Sequence, residues 1–323
     1  MNRVLVFRKR LSDFHSIENA FDTLLPYLKI GKVELPHASM GILKRLKNIL
    51  FLLRLKADLI HISGHDHYLL WYPFKKAILT IHDLESLKRK RGIKKWLFQK
   101  LWFEIPIRNA NRVTTISEFS KQELRELFPK QNDIRVIHNT LSLPLKYSSI
   151  EFNEEKPRIL HIGTKKNKNL NRLIQALRGI NCHLTILGKV ESALESILLD
   201  SGIDFTLKSG LTRDQMQNLY QECDMLAFVS TYEGFGLPIL EAQAVGRVVL
   251  TSDLSSMPEV AGEGGLYVDP FSVESIRNGI QKLINNRELR EELIKKGLKN
   301  IERFKAELIT KKYMALYEEL ESE

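Results

Sequence analysis

Short apolar runs alternate with amphipathic stretches along the chain. In the first half, six runs rich in β-branched residues predict strands at positions 4–7, 32–35, 58–62, 77–81, 112–116 and 134–137. Between them, apolar residues recur with the period of a helix at 17–28, 42–55 and 118–127. Strands that alternate with helices are typical of a parallel sheet covered by helices on both faces.

A second alternation follows a polar segment. Residues 139–157 contain two prolines and no clear period, which favours an interdomain linker. Beyond it, strands are predicted at 158–162, 183–187, 204–207, 225–229, 248–251 and 265–268, with helices at 170–177, 213–223 and 237–244 and a helical pattern from 272 onward. The fold class is therefore α/β, with two doubly wound domains. Ligands of such sheets bind beyond the carboxyl ends of the strands, so we expect the active site in the cleft between the domains.

Composition narrows the class of protein. The 323 residues, 43% hydrophobic and 27% charged, fit about two globular domains. No apolar run of about 18 residues predicts a membrane-spanning helix, and the apolar run at the N-terminus is too short for a signal peptide. The cysteines are Cys182 and Cys223 only, which excludes a disulfide framework and fits a reducing compartment.

Charge is distributed unevenly over this chain of net charge +10. Residues 1–150 hold 27 basic and 13 acidic residues, whereas the remainder is mildly acidic. Two segments of the first half, 43–56 and 88–102, combine basic residues with Leu, Phe and Trp at helical spacing. This pattern predicts either an interfacial helix on an anionic membrane or a core-facing helix with a solvated basic side. No nucleic-acid-binding motif accompanies the charge, so nucleic acid is not expected as a partner.

The segment 230–241, STYEGFGLPILE, carries the most chemical information. It follows an apolar strand and leads into a helical pattern. Gly234 and Gly236 let the backbone approach a ligand closely, and Pro238 suits the first turn of a helix. Free N–H groups at such a helix start bind phosphate or pyrophosphate, although an ordinary strand–loop–helix junction has the same pattern.

Glu233 and Glu241 of this segment are eight residues apart. On one continuous helix they would be separated by about 12 Å along the axis. The catalytic carboxyls of a retaining hydrolase lie about 5–5.5 Å apart, so separate roles are predicted here. Glu233 would face the reacting group, and Glu241 would accept hydrogen bonds from hydroxyls such as a ribose diol. A solvated helix face is the alternative for Glu241.

The sequence EGFGLPILE and the AQAVGRVVLTSDLSSMPEVAGEGGLYVDP that follows it resemble the retaining glycosyltransferases of family 4, also called glycosyltransferase group 1. Matching segments are LTIHDLESL (79–87), RVTTISEFSKQEL (112–124), RVIHNTLSLP (135–144) and HIGTKKNKNLNRLIQAL (161–177). The resemblance implies the GT-B fold, in which two Rossmann-like domains face each other across a cleft that holds a nucleotide sugar. It implies an acceptor-side domain over 1–145, a donor-binding domain over 146–305 and a final helix, 306–323, that returns to the first domain.

The resemblance also implies roles for individual residues. Glu233 and His82 match catalytic positions, where the glutamate lies near the reacting centre and the histidine contacts the donor sugar. Glu241 matches a glutamate that binds the ribose, and Lys168 matches a lysine that neutralises the diphosphate. Asn139 lies where members often have Pro-Asn-Gly before the linker. The loop that holds the sugar hydroxyls and the pyrophosphate is matched by the backbone of Gly234, Phe235, Gly236 and Leu237.

Three features depart from the family pattern. Thr164 stands at a donor-binding position where members often have an arginine. The loop 163–168 is one residue short, and Lys165 or Lys166 would then supply a second charge to the phosphates. The stretch 8–18 contains no glycine, whereas members often have a glycine-rich loop after the first strand.

Together with the family resemblance, these residues predict a retaining hexosyltransferase that uses a nucleotide diphosphate sugar. The acceptor would be a glycan or a lipid-linked glycan of cell-surface polysaccharide or lipopolysaccharide synthesis. Lys168 and the helix start at Leu237 would stabilise the departing diphosphate. That group would take the acceptor proton on the same face; a covalent Glu233 adduct is the alternative. No Asp-x-Asp motif occurs in a strand-end loop, so neither a metal ion nor another cofactor is expected.

Other interpretations remain open at this point. An epimerase or a phosphorylase on the same fold, or a catalytically silent nucleotide- or glycan-binding subunit, would share these motifs. The cluster HISGHDH, with His61, His65 and His67, predicts part of an acceptor site, a polar loop or, with converging ligands, a zinc site. The protein is expected in the cytoplasm, either free or peripheral on the inner face of the membrane.

Overall fold

The computed structural model describes residues 2–9, 16–131 and 133–323. Contacts within the chain divide it into two compact units. The first unit contains Met1–Ser142 together with Phe304–Glu323, and the second contains Leu143–Arg303. Most of the glycine-free stretch 8–18 lies outside the described residues.

Six parallel strands form the sheet of the first unit. They are β1 (Arg3–Phe7), β2 (Gly31–Glu34), β3 (Leu59–Ile62), β4 (Ala77–Ile81), β5 (Arg112–Thr115) and β6 (Ile134–Val136). Their order across the sheet is β2-β1-β3-β4-β5-β6, so the direction of winding reverses between β1 and β3. The helices that follow these strands are α1 (Ser16–Leu24), α2 (Ile42–Arg54), α3 (Glu85–Lys88), α4 (Gly92–Gln99), α5 (Ile105–Asn109) and α6 (Glu118–Leu127).

The second unit repeats this architecture. Its strands are β7 (Arg158–Ile162), β8 (His183–Leu187), β9 (Asp204–Lys208), β10 (Met225–Phe228), β11 (Val248–Ser252) and β12 (Gly265–Val268). The order β12-β11-β10-β7-β8-β9 places the reversal between β7 and β10. The helices are α7 (Leu170–Leu177), α8 (Ser192–Leu199), α9 (Arg213–Glu222), α10 (Leu237–Ala244), α11 (Met257–Ala261), α12 (Val273–Asn285) and α13 (Arg287–Asn300).

The predicted α/β class with two doubly wound sheets is confirmed. All twelve strands lie within one residue of their predicted bounds. Every residue of β4 and β10 is buried, because helices cover both faces of a parallel sheet. Helix α1 is shorter than predicted and ends at Leu24, because Pro26 lacks an N–H and restricts the residue before it.

The final helix, α14 (Ala306–Ser322), returns to the first unit. Arg3 of β1 forms a 2.6 Å ion pair with Glu321 near its end. The buried residues of α14 that join the cluster around β1 and α1 are Ile309, Tyr313, Leu316, Tyr317 and Leu320. In the described part of the chain, no helix has both the length and the apolar character needed to cross a bilayer.

A histidine lies in the core of the first unit, on β3. The Nδ1 atom of His61 is 2.8 Å from Tyr317 Oη, and its Nε2 is 2.7 Å from Thr80 Oγ1. Burial, followed by the nearby His82, lowers the pKa of His61 to about 3. The ring is therefore neutral at pH 7 and bonds two hydroxyl groups in place of water.

Acidification is expected to destabilise the protein through this histidine. Its folded pKa of about 3 is below the ordinary value of 6.5, so the unfolded chain binds the proton more readily. The stabilising contribution is present above pH 6.5 and is lost as the pH falls toward 3. Between pH 7.5 and 5.0, His61 should remove about 2 kcal/mol from the free energy of unfolding.

Urea denaturation at the two pH values measures this loss. The variant His61→Gln should lose less stability on acidification than the wild type, whatever its stability at pH 7.5. His37→Gln, at a partly exposed histidine, should keep the wild-type loss. Equal losses in wild type and His61→Gln would contradict the role of His61.

Candidate active site

The loops after β7 and β10 meet where the strand order of the second sheet reverses. The two strands are parallel neighbours, with Ile159 paired to Met225. Their carboxyl ends therefore lie side by side, and the connections that leave them run in opposite directions along the sheet. This is the position at which doubly wound sheets bind ligands. The two loops carry Lys168 and Glu233, both predicted as site residues.

A glycine and a serine shape the loop before α10. Gly236 has a φ of +111°, in a region that glycine adopts without strain. The Ser256 hydroxyl lies 3.0 Å from the carbonyl oxygen of Glu233 and 2.7 Å from that of Phe235, so it fixes the loop to the connection after β11. Pro238 lies in the first turn of α10. Pro238 has no N–H, and the Ile239 N–H donates to the Gly236 carbonyl at 3.0 Å, so Gly236 and Leu237 are the residues at the helix start that can present N–H groups to an anion.

Two asparagines flank Lys168 and fasten the β7 loop to the β10 loop. Asn167 Nδ2 donates to the carbonyl of Tyr232 at 3.0 Å, and Asn169 Nδ2 donates to that of Val229 at 3.0 Å. Asn169 also has a φ of +63°, which asparagine tolerates better than most residues. Sequence reasoning identified only the lysine of KNKNL; the left-handed tendency of asparagine was the available signal for its neighbours.

The fastened loops bring Lys168 and Glu233 together. Lys168 Nζ donates to Glu233 Oε1 at 2.6 Å and lies 4.8 Å from the centre of the Phe228 ring. Gly163 makes room for the lysine, because a Cβ built there would lie 2.9 Å from Lys168 Cγ and Cε. Both charged side chains are mostly buried. Such a pair loses hydration for little net stability, so its position at the sheet reversal favours a role in function.

Glu241 lies inside the second unit. Only 7% of its surface is exposed, and Tyr220 Oη donates a 2.5 Å hydrogen bond to its Oε2. Burial, followed by the Glu241 charge, raises the pKa of Tyr220 well above its ordinary value, so the phenol stays protonated and donates. The solvated-face alternative for Glu241 is therefore wrong. Nothing in the sequence pattern links Tyr220, 21 residues away, to this carboxylate.

A buried arginine fixes the end of α9 that carries Tyr220. The Arg247 guanidinium donates to the carbonyls of Gln221 at 2.6 Å, Ser148 at 2.7 Å and Tyr220 at 3.2 Å. Burial lowers the pKa of Arg247 from its usual range, and these carbonyls compensate for its lost hydration. Sequence reasoning missed Arg247, because its importance depends on carbonyls from two segments that are distant in the chain.

Thr164 joins two strand ends. Its Oγ1 donates to the carbonyl of Lys189 at 2.6 Å, which ties the end of β7 to the end of β8. Gly188 packs against it, since a Cβ there would lie 2.9 Å from Thr164 Cγ2. Lys165 and Lys166, considered above as a second charge for the phosphates, are exposed in the same loop.

His82 and Asn139 belong to the first unit, and both are buried. His82 follows β4, and its Nε2 donates to the carbonyl of Ser63 at 2.7 Å. Burial, followed by the neighbouring His65, lowers the pKa of His82 to about 3, so the ring is neutral at pH 7. Its Nδ1 has no hydrogen-bond partner among the described residues and is left as an acceptor. Asn139 lies in the segment after β6.

The histidines of HISGHDH occupy different surroundings. His61 lies in the core, whereas His65 and His67 lie beyond the end of β3. His67 Nδ1 donates to the carbonyl of Trp102 at 2.9 Å, and the His65 ring lies 5.7 Å from that of His82. Within the described ranges, no group of three His, Cys, Asp or Glu side chains is placed to hold a metal ion. The zinc interpretation therefore gains no support from these residues.

The pair of sheets places the chain in a known structural class. The Anabaena protein HepE, solved in complex with UDP-glucose, matches with a TM-score of 0.78 at 16% identity, over 98% of this chain and 99% of that one. At this identity the likeness concerns the fold alone. The fold is the GT-B fold.

Family models cover both units. The model of glycosyl transferases group 1 matches residues 146–300, and that of glycosyltransferase family 4 matches residues 5–143. The chain belongs to glycosyltransferase family 4, as the sequence motifs indicated. It is 27% identical over 296 residues to O-antigen chain mannosyltransferase B of Escherichia coli, covering 80% of this chain and 74% of that protein. It is 23% identical to the N,N'-diacetylbacillosaminyl-diphospho-undecaprenol α-1,3-N-acetylgalactosaminyltransferase of Campylobacter jejuni, covering 90% and 86%.

Replacing Gly163 with alanine should lower the free energy of unfolding by more than the strain of the backbone conformation alone explains. At a φ of +91° an alanine is strained by about 1–2 kcal/mol. Its methyl group would also collide with Lys168. Gly179→Ala is the matched control, because Gly179 has a φ of +73° and nothing lies within 4 Å of its Cβ position.

Chemical denaturation of both variants measures the two losses in the free energy of unfolding. We expect the larger loss for Gly163→Ala, and we expect the excess over Gly179→Ala to disappear in a Lys168→Ala background. Equal losses for the two alanines would show that Lys168 does not depend on the space beside Gly163.

Proposed function

We propose that the protein is a retaining, metal-independent hexosyltransferase that uses a nucleotide diphosphate sugar. The observation that carries this proposal is the Lys168–Glu233 pair at the reversal point of the second sheet. The names of the relatives support it, since one is an O-antigen mannosyltransferase and another acts on a diphospho-undecaprenol-linked sugar. We infer that the acceptor is a glycan or a lipid-linked glycan of cell-surface polysaccharide or lipopolysaccharide synthesis.

The diphosphate would bind between the β7 loop and the start of α10. Lys168 supplies a mostly buried positive charge, and the start of α10 supplies the N–H groups of Gly236 and Leu237 and the positive end of the helix dipole. The backbone of residues 234–237 would hold sugar hydroxyls and the pyrophosphate. Glu233 is paired with Lys168, so the donor diphosphate would replace the carboxylate at the lysine and release Glu233 toward the sugar. Lys165 or Lys166 would add a second charge, since Thr164 supplies none.

The ribose would bind at Glu241. Tyr220 holds one carboxylate oxygen at 2.5 Å and so sets the orientation of the group. Because the carboxylate is buried, hydrogen bonds from two ribose hydroxyls would be stronger than in water. The base would meet the loop around residues 209–211, which contains no side chain that distinguishes uracil from guanine.

The reaction breaks the bond between the anomeric carbon and the diphosphate oxygen, and the nucleoside diphosphate leaves with the electron pair. The acceptor oxygen forms the new bond on the same face, and its proton passes to the departing phosphate oxygen, which retains the configuration. Lys168 stabilises the charge of the leaving group, and Glu233 lies near the reacting carbon. A covalent Glu233 adduct would also retain configuration. We assign His82 to the donor sugar, with its unpartnered Nδ1 as acceptor, and Asn139 to the donor side.

Removing the charge of Glu233 should abolish turnover and preserve donor binding. Glu233→Gln is expected to lower the rate of nucleoside diphosphate release from the preferred sugar nucleotide by about 100-fold or more. The preferred nucleotide comes first from a thermal-shift panel of nucleoside diphosphates and their sugars, run with EDTA. Affinity for the diphosphate should not fall, because the variant leaves Lys168 unpaired.

Glu263→Gln, at a carboxylate that is highly exposed in the same unit, is the control and should turn over normally. Full activity of Glu233→Gln would contradict the catalytic role assigned to Glu233. A wild-type protein that binds nucleotides and transfers no sugar to any glycan or lipid acceptor would instead be the catalytically silent subunit. Formation of a product without an acceptor would indicate an epimerase or a phosphorylase.

Tyr220 and Glu241 should act together in binding the ribose, with Tyr220 orienting the Glu241 carboxylate. Calorimetry with the selected nucleoside diphosphate should show that Glu241→Gln lowers the binding affinity by about tenfold or more, because hydrogen bonds to a charged group contribute about 1.5–3 kcal/mol. Tyr220→Phe should lose less affinity than Glu241→Gln. It should also discriminate less than the wild type between the ribonucleotide and its 2′-deoxy analogue. Equal losses of affinity for both nucleotides in both variants would show that Glu241 does not bind the ribose and that Tyr220 does not position it for that role.

A further inference from the structure

Helix α2 exposes a stripe of leucines. Leu43, Leu46, Leu50 and Leu53 are separated by three, four and three residues, so they share one face of the helix. All four are exposed, and Leu43 reaches 72%. The helix already has a separate buried face that includes Ile49 and Leu52. The leucine stripe is therefore not needed for packing within the unit.

Helix α4 adds a second exposed apolar surface. Ile93 is 77% exposed, Trp96 is 60% exposed, and Leu97 is also exposed. No residue of α4 is buried. Leaving a tryptophan and an isoleucine in water forgoes the free energy that their burial would supply, which points to a partner surface.

Trp102 joins the two helices. The Arg45 guanidinium of α2 lies 4.5 Å from the centre of the Trp102 ring, and the Phe98 ring of α4 stacks on that ring at 5.3 Å. Helices α2 and α4 therefore both contact one aromatic cluster through Arg45 and Phe98, and their exposed apolar residues lie on other sides of the two helices. We call six of the exposed residues, Leu43, Leu46, Leu50, Ile93, Trp96 and Leu97, the apolar face.

The two segments that carry the apolar face are basic, although Lys88 and Arg89 pair with Glu123 and Glu85. Helix α2 contains four basic residues and no acidic one, and residues 88–102 contain seven basic residues and no acidic one. Lys100 lies 5.1 Å from the Trp96 ring. In the described part of the chain Lys94 and Lys95 form no ion pair, nor do Lys44 and Lys47. A partner for this face must accept apolar side chains and supply negative charge.

We propose that the apolar face docks the protein on an anionic lipid bilayer. Leucine, isoleucine and tryptophan side chains would enter the boundary between headgroups and acyl chains, and the surrounding lysines would bind the headgroups. A second copy of the chain is a poorer partner, because two surfaces of the same positive sign repel each other. A bilayer provides both properties at once.

The apolar face is also linked to the predicted acceptor loop. Trp102 Nε1 donates to the carbonyl of His65 at 3.3 Å, and His67 Nδ1 donates to the carbonyl of Trp102 at 2.9 Å. Trp102 therefore connects the loop that follows β3 to the two helices that carry the apolar face. This consequence rests on the proposed function: docking would place the histidine loop beside a lipid-linked acceptor.

Vesicle co-sedimentation tests the proposal with the full-length protein. The probes are vesicles of phosphatidylcholine alone and vesicles of equimolar phosphatidylcholine and phosphatidylglycerol. The wild type should bind only the anionic vesicles, and more weakly as salt is added. The double variants Leu43→Ser/Trp96→Ser and Lys94→Glu/Lys95→Glu should each bind at least tenfold more weakly.

Matched controls change exposed residues of similar chemistry elsewhere in the protein. Leu199→Ser/Leu308→Ser and Lys295→Glu/Lys299→Glu should bind anionic vesicles as the wild type does. Nucleotide thermal shifts, measured on every variant, report folding and the donor site independently of docking. The proposal is overturned if the wild type does not bind anionic vesicles, or if the test and control variants bind these vesicles equally. A wild-type dimer that Leu43→Ser/Trp96→Ser dissociates, without vesicle binding, would also overturn it.

Discussion

The ion pair between Lys168 and Glu233 sets the requirements that the surrounding loops meet. Two mostly buried charges at 2.6 Å repay their lost hydration only if the geometry is held firmly. Asn167 and Ser256 hold the backbone on either side, and the absence of a side chain at Gly163 leaves space for the lysine. The pair holds a mostly buried cation together with its anionic partner. A ligand that brings its own negative charge can replace Glu233 without leaving Lys168 unpaired.

Sheet topology makes this pair possible. Lys168 and Glu233 are 65 residues apart in the chain, and only the adjacency of β7 and β10 brings their loops together. The same reversal lets α10 begin beside the pair and continue into the unit, where Glu241 meets Tyr220. The Lys168–Glu233 pair thus lies beside the start of one short helix, and a buried carboxylate lies about one turn further along that helix. This division suits a substrate with a charged diphosphate next to a neutral diol.

The first unit uses its polar residues differently. Its buried histidines are kept neutral by burial, and they bond hydroxyls or carbonyls within the unit. Its charge lies outside, on α2 and around α4, where it surrounds apolar side chains that the core does not need. The loop after β3 connects these two regions through Trp102. The basic composition of this half therefore reflects a surface property more than a requirement of the fold.

The sequence by itself determined the strands, the α/β class and the positions of the charged motif residues. Those properties depend on local period and on residue type, which a chain displays directly. The tertiary structure decided which side chains meet: Tyr220 with Glu241, Arg247 with three carbonyls, and Thr164 with the end of β8. These contacts join segments whose separation is set by strand order, and strand order leaves no local pattern. The leucine stripe of α2 illustrates the same limit, because apolar residues on two faces of one helix cannot be assigned to core or surface until the packing is known.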